Sequence, residues 1–374
     1  MSRTGENIYK RRDGRWEGRY IRTRIGGKAK YVSVYGRSYR EVKKKLEDAK
    51  TKQEKCNTKA EKAGKMADIG NSWLSEAALF LKKSSINKYE DILRCYILPE
   101  FGENELSEIT NQRLISFANA LLTNGGARKQ GLTATTVAEI MSAMNGIRIY
   151  ALRKEYEVGF SPECVNLKKE QGDIRVFSLE EEEKLLDYLQ KNMDLPALGI
   201  LLCLYTGIRV GELCALKWDD INLLEKKMSV SKSMQRLRIN AVSGSKTEVK
   251  ILEPKSACSV RTIPLPDTII ELLEEFHTPG AFLLTGKSSR FVEPRTMQNR
   301  FKKAILSCGI QDANFHATRH TFATRCIELG FDVKTLSEIL GHASVTITMN
   351  RYVHPSMAHK REHMNRFSNL FAVR

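Results

Sequence analysis

The feature that most constrains the fold is a change of pattern after the first 35 residues. Residues 7–35 alternate between apolar and polar side chains and are interrupted by Asp13-Gly14 and Gly26-Gly27. Such a pattern is typical of short strands joined by tight turns. Most of the later chain instead carries apolar residues at helical spacing. The sequence therefore predicts a mainly α-helical protein with small β-sheets (α+β), in which a three-stranded antiparallel sheet comes first.

A first module, predicted at residues 1–63, combines this sheet with one helix. Ser38 and Glu41 form a capping-box sequence that opens a helix running to about residue 62. Four aromatic residues are the predicted core of the sheet: Trp16, Tyr20, Tyr31 and Tyr35.

The first module is also strongly basic. Residues 1–66 hold 21 Lys/Arg against 8 Asp/Glu, so they supply 21 − 8 = +13 of the chain's net charge of +17. Five cations are expected on one face of the sheet: Arg15, Arg19, Arg22, Arg24 and Lys28. A β-ribbon fits the major groove of DNA and can carry such side chains to bases and phosphates. The alternative is a solvated basic face with no ligand.

Two further modules follow. Residues 67–165 carry four amphipathic segments, at 69–83, 85–97, 110–123 and 133–156, so a four-helix module is predicted. In the second segment, Pro99 and Gly102 are expected to end the helix.

The polar stretch before residue 175 marks a second boundary, and residues 174–374 form the third module. Ser178 and Glu181 form another capping box there, and Thr206-Gly207 interrupts an apolar helical stretch at 195–217. Strand character at 228–238, 248–253 and 261–265 predicts one small antiparallel sheet among helices at 267–277, 296–308, 317–329, 333–340, 345–352 and 355–371.

Several classes of protein are disfavoured. No apolar run approaches the 18 residues of a membrane-spanning helix, and the N-terminus lacks the apolar segment of a signal peptide, so a cytoplasmic protein with no membrane partner is expected. The eight cysteines include no Cys-x-x-Cys pair, which argues against disulfides and against a zinc site. The sequence also lacks a phosphate loop ending in Lys-Ser/Thr.

The stretch from His316 to Tyr352 carries the densest chemistry. It holds an imidazole, an arginine three residues later, a second imidazole and a phenol. These groups can bind a phosphodiester, move protons around it and attack it without a metal. His316 and His320 have the spacing of a zinc-protease helix, but Ala317 stands where the catalytic glutamate would be.

An earlier segment, Thr206–Trp218, places Arg209 just after a glycine and before an apolar helix. An arginine in such a position needs a partner, and Glu212, three residues on, is expected to supply one.

Four segments, taken together, resemble the tyrosine recombinases, of the phage and conjugative-transposon integrase type. They are Thr206–Trp218, Pro254–Pro266, His316–Arg325 and Leu340–Tyr352. The N-terminal sheet and helix resemble the arm-type DNA-binding domain of these integrases. The helical module resembles their core-binding domain, and the third module their mostly helical catalytic domain.

The resemblance implies a set of site residues. Arg209 and Arg319 correspond to the two arginines that hold the scissile phosphate, and a guanidinium fork suits this task because it bonds two oxygens and stays charged. His342 corresponds to a second hydrogen-bond donor to the phosphate. His316 corresponds to a base or phosphate ligand and is expected to be the base, while Tyr352 corresponds to the nucleophile.

The resemblance also implies a lysine that protonates the departing 5′-oxygen. The family pattern Lys-x-x-x-Ser-x-Arg fits Lys255, Ser259 and Arg261, although Lys246 and Lys250 lie close by in sequence. Spacing alone does not show which ammonium group reaches the leaving oxygen.

The implied reaction is attack by Tyr352 on DNA to give a 3′-phosphotyrosine, which a 5′-hydroxyl from another cleaved strand then reverses. It requires neither a metal nor another cofactor. The implied partners are double-stranded DNA with core and arm sites, further copies in a tetramer on that DNA, and an excisionase or a DNA-bending host protein. His320 and Arg325 correspond to no catalytic residue. We expect His320 to be a structural histidine and Arg325 to contact a phosphate or lie on the surface.

Alternatives remain open. In the family, C-terminal segments dock on a neighbouring protomer, and the amphipathic residues 355–371 are expected to do the same; the alternative is that they pack on their own domain. The same chemistry could serve a relaxing enzyme of the type IB topoisomerase kind, and a recombinase scaffold could serve as a DNA-binding regulator. The N-terminal module argues against the first of these functions, and the complete residue set argues against the second.

Overall fold

The computed structural model describes most of the chain. The described residues are 7–11, 13–25, 28–57, 62–168, 174–239, 247–253, 259–311, 313–353, 361, 364, 365 and 367. The chain forms two compact units, 1–169 and 170–374. Within the described residues, no helix has the length and apolar character needed to cross a membrane.

The first unit begins with the predicted sheet. Strands β1 (Ile8–Lys10), β2 (Trp16–Ile25) and β3 (Lys28–Gly36) pair antiparallel in that order, and helix α1 (Tyr39–Asn57) packs against them. Gly18 of β2 faces α1 so closely that a Cβ there would clash.

The predicted core of this sheet is partly wrong. Tyr31 and Tyr35 are exposed, and the buried apolar side chains among the described residues of this module are Val42 and Leu46 of α1. Tyr35 pairs with Glu17, whose neighbour Gly18 faces the helix. Because adjacent residues of a strand point to opposite faces, Tyr35 lies on the face that α1 does not cover.

The rest of the first unit is the predicted helical module. Its helices are α2 (Met66–Ala77), α3 (Lys83–Ile92), α4 (Leu98–Phe101), α5 (Asn111–Asn124) and α6 (Ala134–Arg153). They enclose an apolar core that includes Ile97, Phe101, Leu114, Ile140 and Ile147.

One helix end differs from the prediction. Pro99 does not end the second helical segment, because α3 continues through a π-helical turn, Leu93–Ile97, directly into α4. Pro99 is the second residue of α4 and comes just after this π-helical turn. The π-helical turn shifts the pattern of backbone hydrogen bonds by one residue, and this lets the helix continue past the proline.

The second unit is mostly helical. Its helices are α7 (Leu179–Lys191), α8 (Leu195–Thr206), α9 (Val210–Ala215), α10 (Asp267–Phe276), α11 (Pro294–Ser307), α12 (His316–Glu328), α13 (Val333–Leu340) and α14 (Val345–Tyr352). The predicted capping box of Ser178 and Glu181 is present at the start of α7. Helix α8 is buried along most of its length, and Phe177, Trp218 and Phe301 complete the core around it.

The described strands of this unit form two sheets, not the single one predicted. Strands β4 (Ile221–Asn222), β5 (Lys227–Val230) and β8 (Arg261–Pro264) make one sheet in the order β4-β5-β8. Strand β6 (Ser233–Arg238) pairs with β7 (Thr247–Leu252) in the other. The predicted strand at 228–238 is thus two strands, because the residues up to Val230 pair with β8 whereas those from Ser233 onward pair with β7.

Candidate active site

The site in the second unit is assembled from four helices and one strand. Arg209 immediately precedes α9, Arg261 opens β8, Arg319 lies one turn into α12, His342 follows α13, and Tyr352 ends α14. The two glycines that end α8 and α13 both adopt positive φ, 64° at Gly207 and 65° at Gly341. These left-handed turns change the chain direction at the points where the site residues follow.

Glu212 organises the arginines of the upstream motif, as predicted for Arg209. Its Oε1 accepts a hydrogen bond from Arg209 Nη1 at 2.8 Å, and its Oε2 accepts one from the Arg209 backbone N–H at 2.9 Å. Arg261 Nη2 also donates to Oε2, at 2.9 Å. Burial raises the pKa of Glu212, but the neighbouring arginines outweigh that effect and hold the pKa below its ordinary value.

Arg319 is almost fully buried and is fixed by main-chain oxygens. Its Nη1 donates to the carbonyl of Gly207 and its Nη2 to that of Leu340, both at 2.8 Å. Burial and the nearby charge of Arg209 lower the pKa of Arg319, yet a guanidinium stays protonated at neutral pH. Arg319 is therefore a preorganised cation tied to the two glycine-ended helices.

Tyr352 is buried with its phenol against His320. The Tyr352 hydroxyl lies 2.8 Å from Nδ1 of His320, and only 7% of Tyr352 is exposed. Burial raises the pKa of Tyr352, while the charges of Arg319, Arg351 and Arg209 oppose that rise. His320, for which the sequence indicated only a structural role, thus contacts the predicted nucleophile directly.

The other two histidines lie near the phenol without an observed hydrogen bond to it. The His316 ring meets the His320 ring edge-on at 4.6 Å between centroids. His342 lies parallel to the Tyr352 ring at 6.4 Å, and its Nδ1 is 2.7 Å from Thr348 Oγ1.

All three imidazoles are held neutral by the same causes. Burial comes first, followed by nearby positive charges, and together they lower the pKa of His320 to about 4 and that of His342 to about 3. The side chain of His316 is exposed on the cleft side, and the atoms packed around the rest of its ring, together with the neighbouring His320 and arginines, still lower its pKa. Arg351 contributes to all three shifts. Arg351 was not among the residues predicted from the sequence, although its place beside Tyr352 was a signal.

A cleft of about 460 Å³ opens beside His316 and Arg319. Its polar side is formed by α11 residues spaced along one helix face, namely Arg295, Gln298, Asn299 and Lys302. A groove lined by cations and amides next to a buried guanidinium can accept a sugar–phosphate backbone.

Some predicted residues lie elsewhere. Lys255 and its alternative Lys246 fall outside the described residues, as does most of segment 355–371. Lys250 lies on β7, where its ammonium pairs with Glu248 at 3.2 Å.

Arg325 is an internal contact and not the expected phosphate or surface contact. It donates to Glu182 at 2.7 Å, to Glu328 at 2.6 Å and to the Phe177 carbonyl at 2.8 Å. These bonds fix α12 to the start of α7.

In the first unit, the predicted basic face is partly neutralised. Arg15 donates to Asp13 at 2.8 Å, and Arg19 donates to Glu17 at 2.8 Å. Hydrogen bonds, first from Arg19 and then from Ser33, lower the pKa of Glu17 to about 2. Both arginines remain at least half exposed. The other three predicted cations lie on strands β2 and β3, but the structure does not describe their side chains: Arg22, Arg24 and Lys28.

Comparison with known proteins identifies this arrangement. The model of the Phage integrase family matches residues 175–359, and that of the phage integrase N-terminal SAM-like domain matches residues 66–122. A XerC-like tyrosine recombinase of Caldanaerobacter subterraneus is 27% identical over 92% of this chain and 93% of its own length. The ICEBs1 integrase of Bacillus subtilis is 22% identical over 75% of this chain and 77% of its own length.

Solved structures show the same fold. The Tn1549 transposon integrase in complex with a circular intermediate DNA has a TM-score of 0.67 at 20% identity, covering 81% of this chain and 99% of that one. A lambda integrase dimer bound to a core site has a TM-score of 0.58 at 17% identity, covering 94% and 96%. Because two models of this family match the chain and a tyrosine recombinase aligns with 92% of it, the chain belongs to the phage integrase family of tyrosine recombinases.

Proposed function

We propose that this chain is a site-specific DNA recombinase that cleaves and rejoins strands through a 3′-phosphotyrosine at Tyr352, integrating and excising a mobile element. The observation that carries the proposal is the position of the Tyr352 phenol, which is buried against His320 at 2.8 Å and within the range of three cations, Arg319, Arg351 and Arg209. A phosphate bound by these cations would lie next to the one group able to attack it.

The two motif arginines have complementary tasks. Arg209 is about one-third exposed, which suits it to the non-bridging oxygens of a bound phosphate. Two N–H groups of Arg319 already donate to the carbonyls of Gly207 and Leu340. Arg319 therefore offers a bound phosphate a fixed positive charge and its remaining N–H donors. Charge that grows on the phosphate in the transition state is thus met by cations that need no rearrangement.

His342 and His316 bind the phosphate as neutral donors in this proposal. His342 is oriented by Thr348 and lies parallel to the phenol, while His316 opens onto the cleft. The leaving 5′-oxygen takes its proton from Lys255. One ester is exchanged for another, so the reaction needs neither ATP nor a metal.

The modules divide the binding of DNA. We assign arm-type sites to residues 1–63, core sites to 67–165, and cleavage together with part of the core contact to 174–374. The arm-site residues of this proposal are Arg15, Arg19, Arg22, Arg24 and Lys28. A lambda integrase tetramer has been solved on a Holliday junction; by analogy this chain acts as a tetramer on DNA, assisted by an excisionase or a DNA-bending host protein.

The test is to map covalent attachment of the protein in DNA that flanks its own coding region. The wild-type chain is expected to trap an adduct at a discrete site, and Tyr352→Phe is expected to abolish it. Tyr205→Phe, which alters an exposed tyrosine of α8, is the matched control and should leave the adduct intact. An undiminished adduct from Tyr352→Phe would contradict the assignment.

Two other outcomes would replace the proposal. Relaxation of supercoiled plasmid without sequence preference would indicate a relaxing enzyme. Discrete binding to DNA with no adduct from the wild-type chain would indicate a regulator.

A further inference from the structure

A buried phenol needs a hydrogen-bond partner, and in this site His320 is a partner that can also accept a proton. The ring nitrogen Nδ1 lies 2.8 Å from the Tyr352 oxygen, with the two ring centroids 5.7 Å apart. His320 is 8% exposed and Tyr352 is 7% exposed, so water has little access to either ring. In the tautomer that carries its proton on Nε2, a neutral imidazole in this position accepts the phenolic hydrogen bond at Nδ1.

The other charged groups around the phenol cannot take its proton. The charges that act on Tyr352 belong to Arg319, Arg351 and Arg209, which are all cations. His342 has its Nδ1 engaged with Thr348. Arg319 also acts on the phenol through a side-chain hydrogen bond, but a guanidinium only donates. His320 contacts the phenol oxygen with a ring nitrogen that can accept a proton.

His316, the expected base, lies one helical turn before His320. Its ring touches the ring of His320 edge-on, and it also borders the cleft beside Arg319. This placement suits His316 to a ligand bound in the cleft. The two histidines of α12 therefore have separable positions, one toward the cleft and one on the phenol.

The electrostatic setting explains how His320 could become a stronger base when DNA binds. In the free protein, burial and the charges of Arg351 and Arg319 hold His320 neutral. A phosphodiester bound by the arginines adds a negative charge beside them, which offsets the repulsion felt by an imidazolium. His320 is thus unprotonated before DNA binds and becomes more basic once the phosphodiester is bound.

We propose that His320, and not His316, is the base that removes the proton of Tyr352, an inference that rests on the proposed function. In cleavage, Tyr352 Oη forms a bond to phosphorus, the bond from phosphorus to the 5′-oxygen breaks, and the phenolic proton passes to His320 Nδ1. The departing 5′-oxygen takes a proton from the ammonium group assigned to Lys255. In rejoining, the 5′-hydroxyl attacks and returns its proton to that amine, while His320 returns the other proton to the tyrosine oxygen.

The test separates proton removal from structural support. In His320→Asn, the amide oxygen can accept the phenolic hydrogen bond but cannot take up the proton. On a duplex carrying the mapped core site, the rate of adduct formation is expected to fall about 100-fold, the scale of a lost general base. The same variant with 3,5-difluorotyrosine at position 352, whose phenol is more acidic, is expected to recover at least tenfold, because less help is needed to ionise it.

His316→Asn is the matched control, since it makes the same change one turn away. Its rate should also fall, because His316 is assigned to the phosphate, but fluorination at position 352 should not restore it. Thermal unfolding and duplex binding check the fold of each variant, and His320→Gln serves in place of His320→Asn if the latter does not fold.

Three results would overturn the proposal. They are a rate for the His320 variant within threefold of wild type, a slow rate that fluorination leaves unchanged, or recovery in the His316 variant instead. Failure of the proposed function would look different, because then the wild-type chain itself would form no adduct that depends on Tyr352.

Discussion

Glu212 and Arg261 form an ion pair in which each side chain is only 6% exposed. Both carboxylate oxygens take part, at 2.9 and 3.3 Å from the guanidinium, and Arg261 Nε also donates to the carbonyl of Ile339 at 2.6 Å. The same carboxylate holds Arg209. Glu212 therefore links Arg209 to strand β8 directly, and to the end of α13 through Arg261.

Glu212→Gln should destabilise the protein strongly, because it leaves two arginines without their common counter-charge. Removing one partner of a buried ion pair costs about 3–5 kcal/mol. Glu293→Gln is the matched control, since Glu293 pairs with Arg236 at 3.0 Å in an exposed setting and should cost less than about 1 kcal/mol. Urea unfolding measures the free energy of unfolding of both variants. Equal losses in the two variants would show that the ion pairs of Glu212 stabilise the protein no more than an exposed ion pair does.

Gly207→Ala should be more harmful than its backbone conformation alone implies. A Cβ at this position would lie 2.5 Å from Phe322 and 2.9 Å from Leu340, and φ is 64°. Gly280 has a similar φ of 73° with no atom within 4 Å, so Gly280→Ala isolates the backbone cost of about 1–2 kcal/mol. Gly207→Ala should lose about 1–3 kcal/mol more through overpacking. Its adduct yield should also drop, because the Gly207 carbonyl positions Arg319.

Arg319→Lys should separate catalysis from stability when it is compared with Arg325→Lys. Both arginines lie on α12 and both donate to main-chain carbonyls, so both variants should lose about 1–3 kcal/mol of stability. Only Arg319 lies beside Tyr352, and a lysine cannot reproduce its planar fork. Adduct formation should fall by about 100-fold or more in Arg319→Lys and stay near wild type in Arg325→Lys. Similar loss of adduct in both would indicate that stability alone is responsible.

The sequence predicted those parts of the fold that depend on local pattern. The three N-terminal strands, the capping box of Ser178 and the break at Gly207 all rest on short-range signals, and the structure has each of them. The errors arose where a second element decides the outcome. Whether Tyr35 is buried depends on which face α1 covers, and whether residues 228–238 make one strand depends on their partners β7 and β8.

For the candidate active site too, the sequence predicted what depends on local pattern and missed what depends on tertiary contacts. Residue type and spacing pointed to Tyr352 and to the pairing of Arg209 with Glu212. They could not reveal that His320 and not His316 contacts the phenol, because both lie on one helix a single turn apart. That distinction depends on how α14 packs on α12, which is a tertiary contact between segments 32 residues apart.

The buried histidines predict how stability depends on pH in the absence of DNA. Burial, with Arg351 and Arg319, lowers the pKa of His320 to about 4 from an ordinary value of 6.5. As the pH falls below about 6.5, the unfolded chain takes up a proton that the folded chain does not, so the free energy of unfolding decreases. This contribution is fully present above pH 6.5, declines down to about pH 4, and does not change further below that. The free energy of unfolding of His320→Gln, measured by urea titration between pH 7.5 and pH 4.5, should therefore fall less steeply than that of the wild type. Parallel slopes for the two proteins would mean that His320 already takes up its proton in the folded state.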